Sequence, residues 1–204
     1  RKSVREKILR TAAELFYREG IRAVGVDKIV ERAGVVKPSL YNHFRSKDDL
    51  VAAYLEDYDR SYWGWFDEVA GRELASPRER LLEVFDAMAE RLGSEEQRGC
   101  PFVNAMMEFP DPEHPAPRVA VRHKRELRER LRELAEEAGA RDAEGLAEQL
   151  ALLIDGARYM AHVFGFEGTI EREKEAAATL IRESCSRNDA EPADGRELCQ
   201  EVSR

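Results

Sequence analysis

Gly25-Val26-Asp27-Lys28-Ile29-Val30-Glu31-Arg32-Ala33-Gly34-Val35-Val36-Lys37-Pro38-Ser39-Leu40-Tyr41-Asn42-His43-Phe44 reads as two short helices joined by a tight turn. Val26, Ile29, Val30 and Ala33 share one side of the first helix. Gly34 ends it, at a position that favours a left-handed backbone. Pro38 fits the first turn of the second helix, where its missing N–H breaks no hydrogen bond. Ile29, Ala33, Val35 and Leu40 hold the pair at a fixed angle, and Ala33 permits close approach. The spacing therefore predicts a helix-turn-helix over 25–44, a design whose second helix enters the major groove of DNA. Lys37, Ser39, Tyr41, Asn42 and His43 are left outside. They are short or planar hydrogen-bonding groups suited to phosphates and base edges, and Asn42 can hold adenine by two bonds. Lys28, Pro38 and Lys47 complete the candidate DNA-binding set. On pattern alone, a helical hairpin with a merely solvated polar side is an equal reading.

Outward from this stretch the periodicity stays helical, and no strand pattern or repeat is visible. Val4, Ile8, Thr11 and Leu15 give a first helix closed by Gly20. Ser46 is placed to cap a fourth, with Asp48 and Asp49 facing the positive end of its dipole. It carries Leu50, Tyr54, Tyr58, Trp65 and Val69. Ser76-Pro77 starts a fifth helix, with Leu81, Phe85, Met88 and Leu92 on one side and Gly93 at its end. A shorter apolar segment runs from Arg98 through Phe109. The four prolines in Pro110–Pro117 mark the clearest break. A charged helix with Leu127, Leu131 and Leu134 ends at Gly139. An apolar helix follows (Leu146, Leu150, Leu153, Ala157, Met160, Phe164), then a loop over Gly165–Gly168. Ile170, Ala177, Leu180 and Ile181 form the ninth helix. The fold expected is all-α: a three-helix head over 1–47, a roughly six-helix body over 48–188, and a polar tail over 189–204.

The 204 residues carry a net charge of −8, which on its face argues against a polyanionic partner. The sign is unevenly distributed. Residues 1–50 hold 12 basic and 7 acidic side chains; the other 154 hold 21 and 34. A basic head sits on an acidic body. No apolar run approaches the ~20 residues of a membrane span, and the charged start Arg1–Lys7 shows no leader pattern. Cys100, Cys185 and Cys199 are odd in number and widely spaced, which suits a reducing cytoplasm better than a disulfide framework.

The head also carries a family likeness. Residues 5–55 resemble the DNA-binding head of the TetR family of transcriptional regulators. The matching residues are Ile8-Leu9, Ala12, Leu15-Phe16, Gly20, Asp27, Ile29, Ala33-Gly34-Val35, Leu40–Phe44, Ser46-Lys47 and Leu50. The run Tyr41-Asn42-His43-Phe44-Arg45-Ser46-Lys47 is close to the family's Tyr-x-His/Tyr-Phe-x-Ser-Lys signature. Gly99-Cys100 followed by Asn104-Ala105 is similar to a Gly-Cys-x-x-x-Asn-Ala segment of some members. Two positions depart from the pattern. Val24-Gly25 lacks the usual hydroxyl that caps the second helix and touches phosphate, and Pro38 replaces a small or polar residue. The resemblance implies a homodimer that presents two recognition helices to a pseudo-palindromic operator. It further implies a small molecule that enters the body and releases DNA, with repression the commonest outcome.

For the effector the candidate residues are Trp65, Phe66, Phe85, Met88, Cys100, Val103, Asn104, Met107, Tyr159, His162 and Phe166. An aromatic and sulfur-rich wall with a few polar groups suits a mostly apolar molecule. Met and Phe at helical spacing equally suit plain core, whereas Asn104 and His162 interrupt apolar stripes. Residues 146–164 and 170–181 are the expected dimer helices, packed as a four-helix bundle, with Gly156-Ala157 permitting close approach. Two alternatives stand beside this reading: a helical protein-interaction module, and a redox-sensing regulator acting through Cys100 at a helix start. No catalytic constellation is visible, so an enzyme is not expected. Neither is a cofactor, nor a metal, since His43, His114, His123 and His162 lack ligand spacing.

Overall fold

The structure, a computed structural model, describes residues 3–72, 76–93 and 99–185, and these form helices without strands. The helices are α1 (Val4–Glu19), α2 (Val26–Ala33), α3 (Lys37–Tyr41), α4 (Lys47–Ala70), α5 (Pro77–Gly93), α6 (Pro101–Glu108), α7 (Pro115–Glu137), α8 (Ala143–Phe164) and α9 (Glu167–Ser184). The polar tail expected over 189–204 lies outside the described residues.

Local signals set most of the boundaries. Ser3 caps α1 by accepting the Glu6 N–H, and Glu6 returns the bond to the Ser3 N–H. Gly20 ends α1 at φ 94° and Gly34 ends α2 at φ 59°, a region that side chains with a Cβ avoid. The Ser46 hydroxyl accepts the Asp49 N–H at the start of α4. Gly25 precedes α2 with no side-chain cap, as its missing hydroxyl requires.

Two boundaries differ from expectation. The break at Pro110–Pro117 is shorter than its four prolines suggest, because α7 starts at Pro115. Pro115 and Pro117 sit in the first turn, where backbone N–H groups have no helical partner to lose. The Gly165–Gly168 loop shrinks to Gly165 and Phe166, since α9 begins at Glu167. Gly168 is tolerated inside a first turn.

Burial divides into two apolar clusters. The first joins the head to parts of the body: Ile8, Ala12, Phe16, Ile29, Leu40, Phe44 and Leu50 pack with Cys100, Phe102 and Ala105 of α6 and its cap, and with Ala116, Val119 and Ala120 of α7. The second fills the body between α4, α5, α7, α8 and α9, around Tyr62, Phe66, Phe85, Met88, Leu131, Leu150 and Ile181. Phe102 is fully buried. Its ring stacks on His123 at 3.8 Å and meets Tyr58 edge-on at 5.6 Å. Phe102→Ala opens a cavity where head and body meet. It is expected to lower stability by about 3–5 kcal/mol, read as a lower urea midpoint with an unchanged slope.

Candidate nucleic-acid interface and effector cavity

The turn between α2 and α3 is closed by backbone bonds alone. Gly34 N–H reaches the Glu31 and Val30 carbonyls, and Val35 N–H reaches Val30 O at 3.0 Å. Leu40 and Phe44 are driven fully into the core, which turns the opposite side of α3 outward. Lys28, Lys37, Pro38, Tyr41, Asn42 and His43 are exposed there, while Ser39 and Lys47 are half-buried. Tyr41 is 46% exposed despite its bulk.

Two of the lysines are held in place by acids. Lys37 Nζ lies 2.8 Å from Asp27 Oδ1, and Lys28 pairs with Glu19. Both pairs are solvent-facing, so they orient the amines without neutralising them firmly. Lys47 is placed differently. Its Nζ lies 5.9 Å over the Phe16 ring and 3.5 Å from the Arg22 carbonyl. Burial lowers its pKa against the pull of Asp48 and Glu108. Arg5 and Arg45 add exposed cations beside this surface, and Arg5 sits over the Phe44 ring at 5.1 Å. The sequence reading missed both, although the basic excess of the head is their signal.

A cavity of about 580 Å³ opens between the end of α1, the turn after it, and α6 and α8. Six of the eleven effector candidates line it: Cys100, Val103, Asn104, Met107, Tyr159 and His162. Phe66, Phe85 and Met88 are buried in the second cluster instead. Trp65 packs against that cluster, with the Arg91 guanidinium 5.0 Å above its ring, and Phe166 precedes α9. The cavity also has walls from the head, Phe16, Tyr17, Gly20 and Arg22 among them.

Glu108, the last residue of α6, ties these walls together. Its carboxylate accepts the Ile21 N–H at 2.9 Å and the Arg22 N–H at 2.6 Å. Gly20 leads into this turn at φ 94°, a backbone conformation that side chains rarely adopt, and a Cβ there would make only ordinary contact with Glu108 Oε1 at 3.5 Å. Tyr17 adds a second tie by donating to the Gly99 carbonyl at 3.2 Å. The body thus hydrogen-bonds the backbone turn that leads into α2.

Comparison with known proteins agrees with this geometry. Residues 8–54 match the family model described as bacterial regulatory proteins, tetR family. Residues 77–177 match that of the tetracyclin repressor-like C-terminal domain. A TetR-family transcriptional regulator from Streptomyces coelicolor superposes with a TM-score of 0.86 at 32% identity, over 90% of this chain and 96% of that one. This chain belongs to the TetR family of transcriptional regulators. A TetR-type regulator of Streptomyces avermitilis is 35% identical, with a TM-score of 0.70, over 86% of this chain and 98% of that one. The HTH-type transcriptional repressor KstR2 of Mycolicibacterium smegmatis is 33% identical over 90 residues, 44% of this chain and 43% of that protein. The match thus spans less than half the length of that curated relative. As a TetR-family protein the chain is a DNA-binding transcriptional regulator and not an enzyme. Among the described residues, no helix is long and apolar enough to cross a membrane.

The TetR body also holds polar groups inside, which the sequence reading did not anticipate. Asp59 Oδ1 accepts the Trp63 indole N–H at 2.8 Å and lies 2.8 Å from His123 Nδ1. Burial lowers the His123 pKa to about 4, against the opposing pull of Asp59. His123 is therefore neutral, with Nδ1–H donating to Asp59. Glu173 on α9 is buried with neither oxygen hydrogen-bonded among the described residues. Burial pushes it up to about 7, opposed by Arg158 and Lys174.

These two groups act on stability in opposite directions. The unfolded chain protonates His123 before the native state does, so its contribution is present above pH ~6.5 and is lost as pH falls towards 4. Native Glu173 keeps a proton that the unfolded chain has released, so its contribution is full below pH ~4.5 and is lost as pH rises through 7. Glu173→Gln is expected to raise the melting temperature relative to the parent at pH 8 and to leave it unchanged near pH 4.5. Equal gains at both pH values would show that ionisation of Glu173 is not the cause.

Proposed function

We propose that this chain is a homodimeric, effector-responsive repressor that acts in the cytoplasm. Residues 1–47 read DNA, and residues 48–188 sense a small molecule and dimerise. The observation that carries the proposal is the position of Glu108. One carboxylate both lines the cavity and hydrogen-bonds the turn into α2. A molecule that fills the cavity and displaces α6 pulls directly on the helix-turn-helix. Linkage then requires that the effector bind the DNA-incompetent arrangement more tightly. Repression follows the name of the KstR2 relatives.

The second copy belongs on α8 and α9. Leu152, Tyr159, Met160, Val163 and Phe164 form an apolar strip on α8, and Leu152, Tyr159 and Phe164 are each more than two-thirds exposed. Such a strip marks an interaction surface. Gly156 lies in the adjoining groove, and a Cβ there would meet nothing within 4 Å, which leaves room for a partner helix. Two heads related by a two-fold axis fit two half-sites of a pseudo-palindrome.

DNA selected from a random pool by the full chain supplies the operator for the tests. Asn42→Ala is expected to cost about 1–3 kcal/mol and to relax preference at one base position. Lys37→Ala is expected to weaken all sequences alike and to reduce the slope of log affinity against log salt by about 1. A Lys37 variant with an unchanged slope would remove this residue from the phosphate contacts. Phe164→Glu places a charge on the α8 strip. It is expected to give monomers in sedimentation and to reduce operator affinity more than tenfold.

A further inference from the structure

Arg158 projects from α8 into the interior, where it is 6% exposed and forms part of the cavity wall. No carboxylate among the described residues lies within the 4.0 Å of an ion pair with its guanidinium. Its guanidinium hydrogen-bonds the Tyr58 hydroxyl, and the Tyr62 hydroxyl and the Cys100 thiol lie within reach of its charge. The Tyr62 hydroxyl is itself buried with no hydrogen-bond partner among the described residues.

The carboxylates of the cavity wall are engaged elsewhere. Glu19 pairs with Lys28, Glu108 holds the Ile21 and Arg22 N–H groups, and Asp155 pairs with Lys124. Glu173 feels the charge of Arg158, but burial keeps it largely protonated below about pH 7. It supplies at most a partial counter-charge. A buried guanidinium in such surroundings is costly until an anion reaches it.

We propose that Arg158 anchors the carboxylate of a small organic acid whose apolar body lies against Phe16, Val103 and Met107. The proposal rests on the reading of this cavity as the effector site and names the chemical class that the site takes. The planar fork of arginine matches a carboxylate through two parallel N–H bonds. One buried cation among three wall carboxylates suits a single negative charge and disfavours a phosphate dianion. The volume of about 580 Å³ lies in the ordinary range for small-molecule sites. The acid group supplies orientation and the apolar walls supply contact area.

The test uses the full chain and matched pairs of probes: hexanoate, benzoate and phenylacetate against hexanamide, benzamide and phenylacetamide. Binding is read by calorimetry and operator release by fluorescence anisotropy. Each acid that binds is expected to do so at least tenfold more tightly than its amide and to release DNA at correspondingly lower concentration. Arg158→Met, a close match in length without the charge, is expected to fold and to lose that preference; Arg158→Lys is expected to keep a reduced one. Acids and amides that bind and release DNA equally would overturn the anion claim and leave the cavity as the effector site. Binding by no member of either series would overturn both. A preference that survives in Arg158→Met would overturn the role of Arg158. Should that variant fail to fold, the acid–amide comparison on the parent chain decides.

Discussion

The core of the helix-turn-helix head is closed by residues that belong to the C-terminal body. Phe102, Cys100 and Ala105 pack among Phe16, Leu50, Tyr54 and Leu55, and Ala116, Val119 and Ala120 of α7 complete the same cluster. Close-packed interiors resist small displacements because they have few alternative arrangements. A shift of α6 therefore cannot be absorbed locally; the helices of the head must move or repack. The Glu108 bonds to Ile21 and Arg22 add direction to that coupling, because they grip the backbone at the entrance to α2. Apolar packing supplies the stiffness, and the carboxylate supplies the point of contact.

The electrostatics follow the same division. The head's basic excess is exposed on and around α3, where Lys37 and Arg45 flank Tyr41, Asn42 and His43 in sequence and Arg5 lies over the Phe44 ring. Along α7 the acidic and basic residues of the body neutralise each other. Arg132 joins Glu129 and Glu136, Arg130 joins Glu126 and Asp67, and Arg128 joins Glu144 and Glu148. Exposed pairs of this kind add little stability each.

How much of this was legible in the sequence depends on the range of each interaction. Gly20, Gly34, Pro38 and Ser46 act within a turn of themselves, so the helices and the helix-turn-helix could be read directly. The Pro110–Pro117 run misled by three residues, 115–117, because proline is penalised in a helix interior and not in a first turn. The head–body contact was invisible, since Glu108 and Ile21 are 87 positions apart. Six cavity residues were nonetheless found from their place on apolar stripes. Arg158 and Glu173 escaped for the opposite reason: a charged residue on a helix reads as solvent-facing, and only the packing of α8 and α9 shows that these two are inside.

The shared core also bears on how such a protein can be taken apart. Cut after Tyr54, the head would leave Phe16, Leu50 and Tyr54 without the cover they receive from α6 and α7. It is a region with its own motif but not its own interior. A chimaera that borrows this head for another sensor has to bring residues 99–120 along with it, or supply equivalents. The helix-turn-helix and residues 99–120 therefore travel as one structural unit, although residues 55–98 lie between them in order.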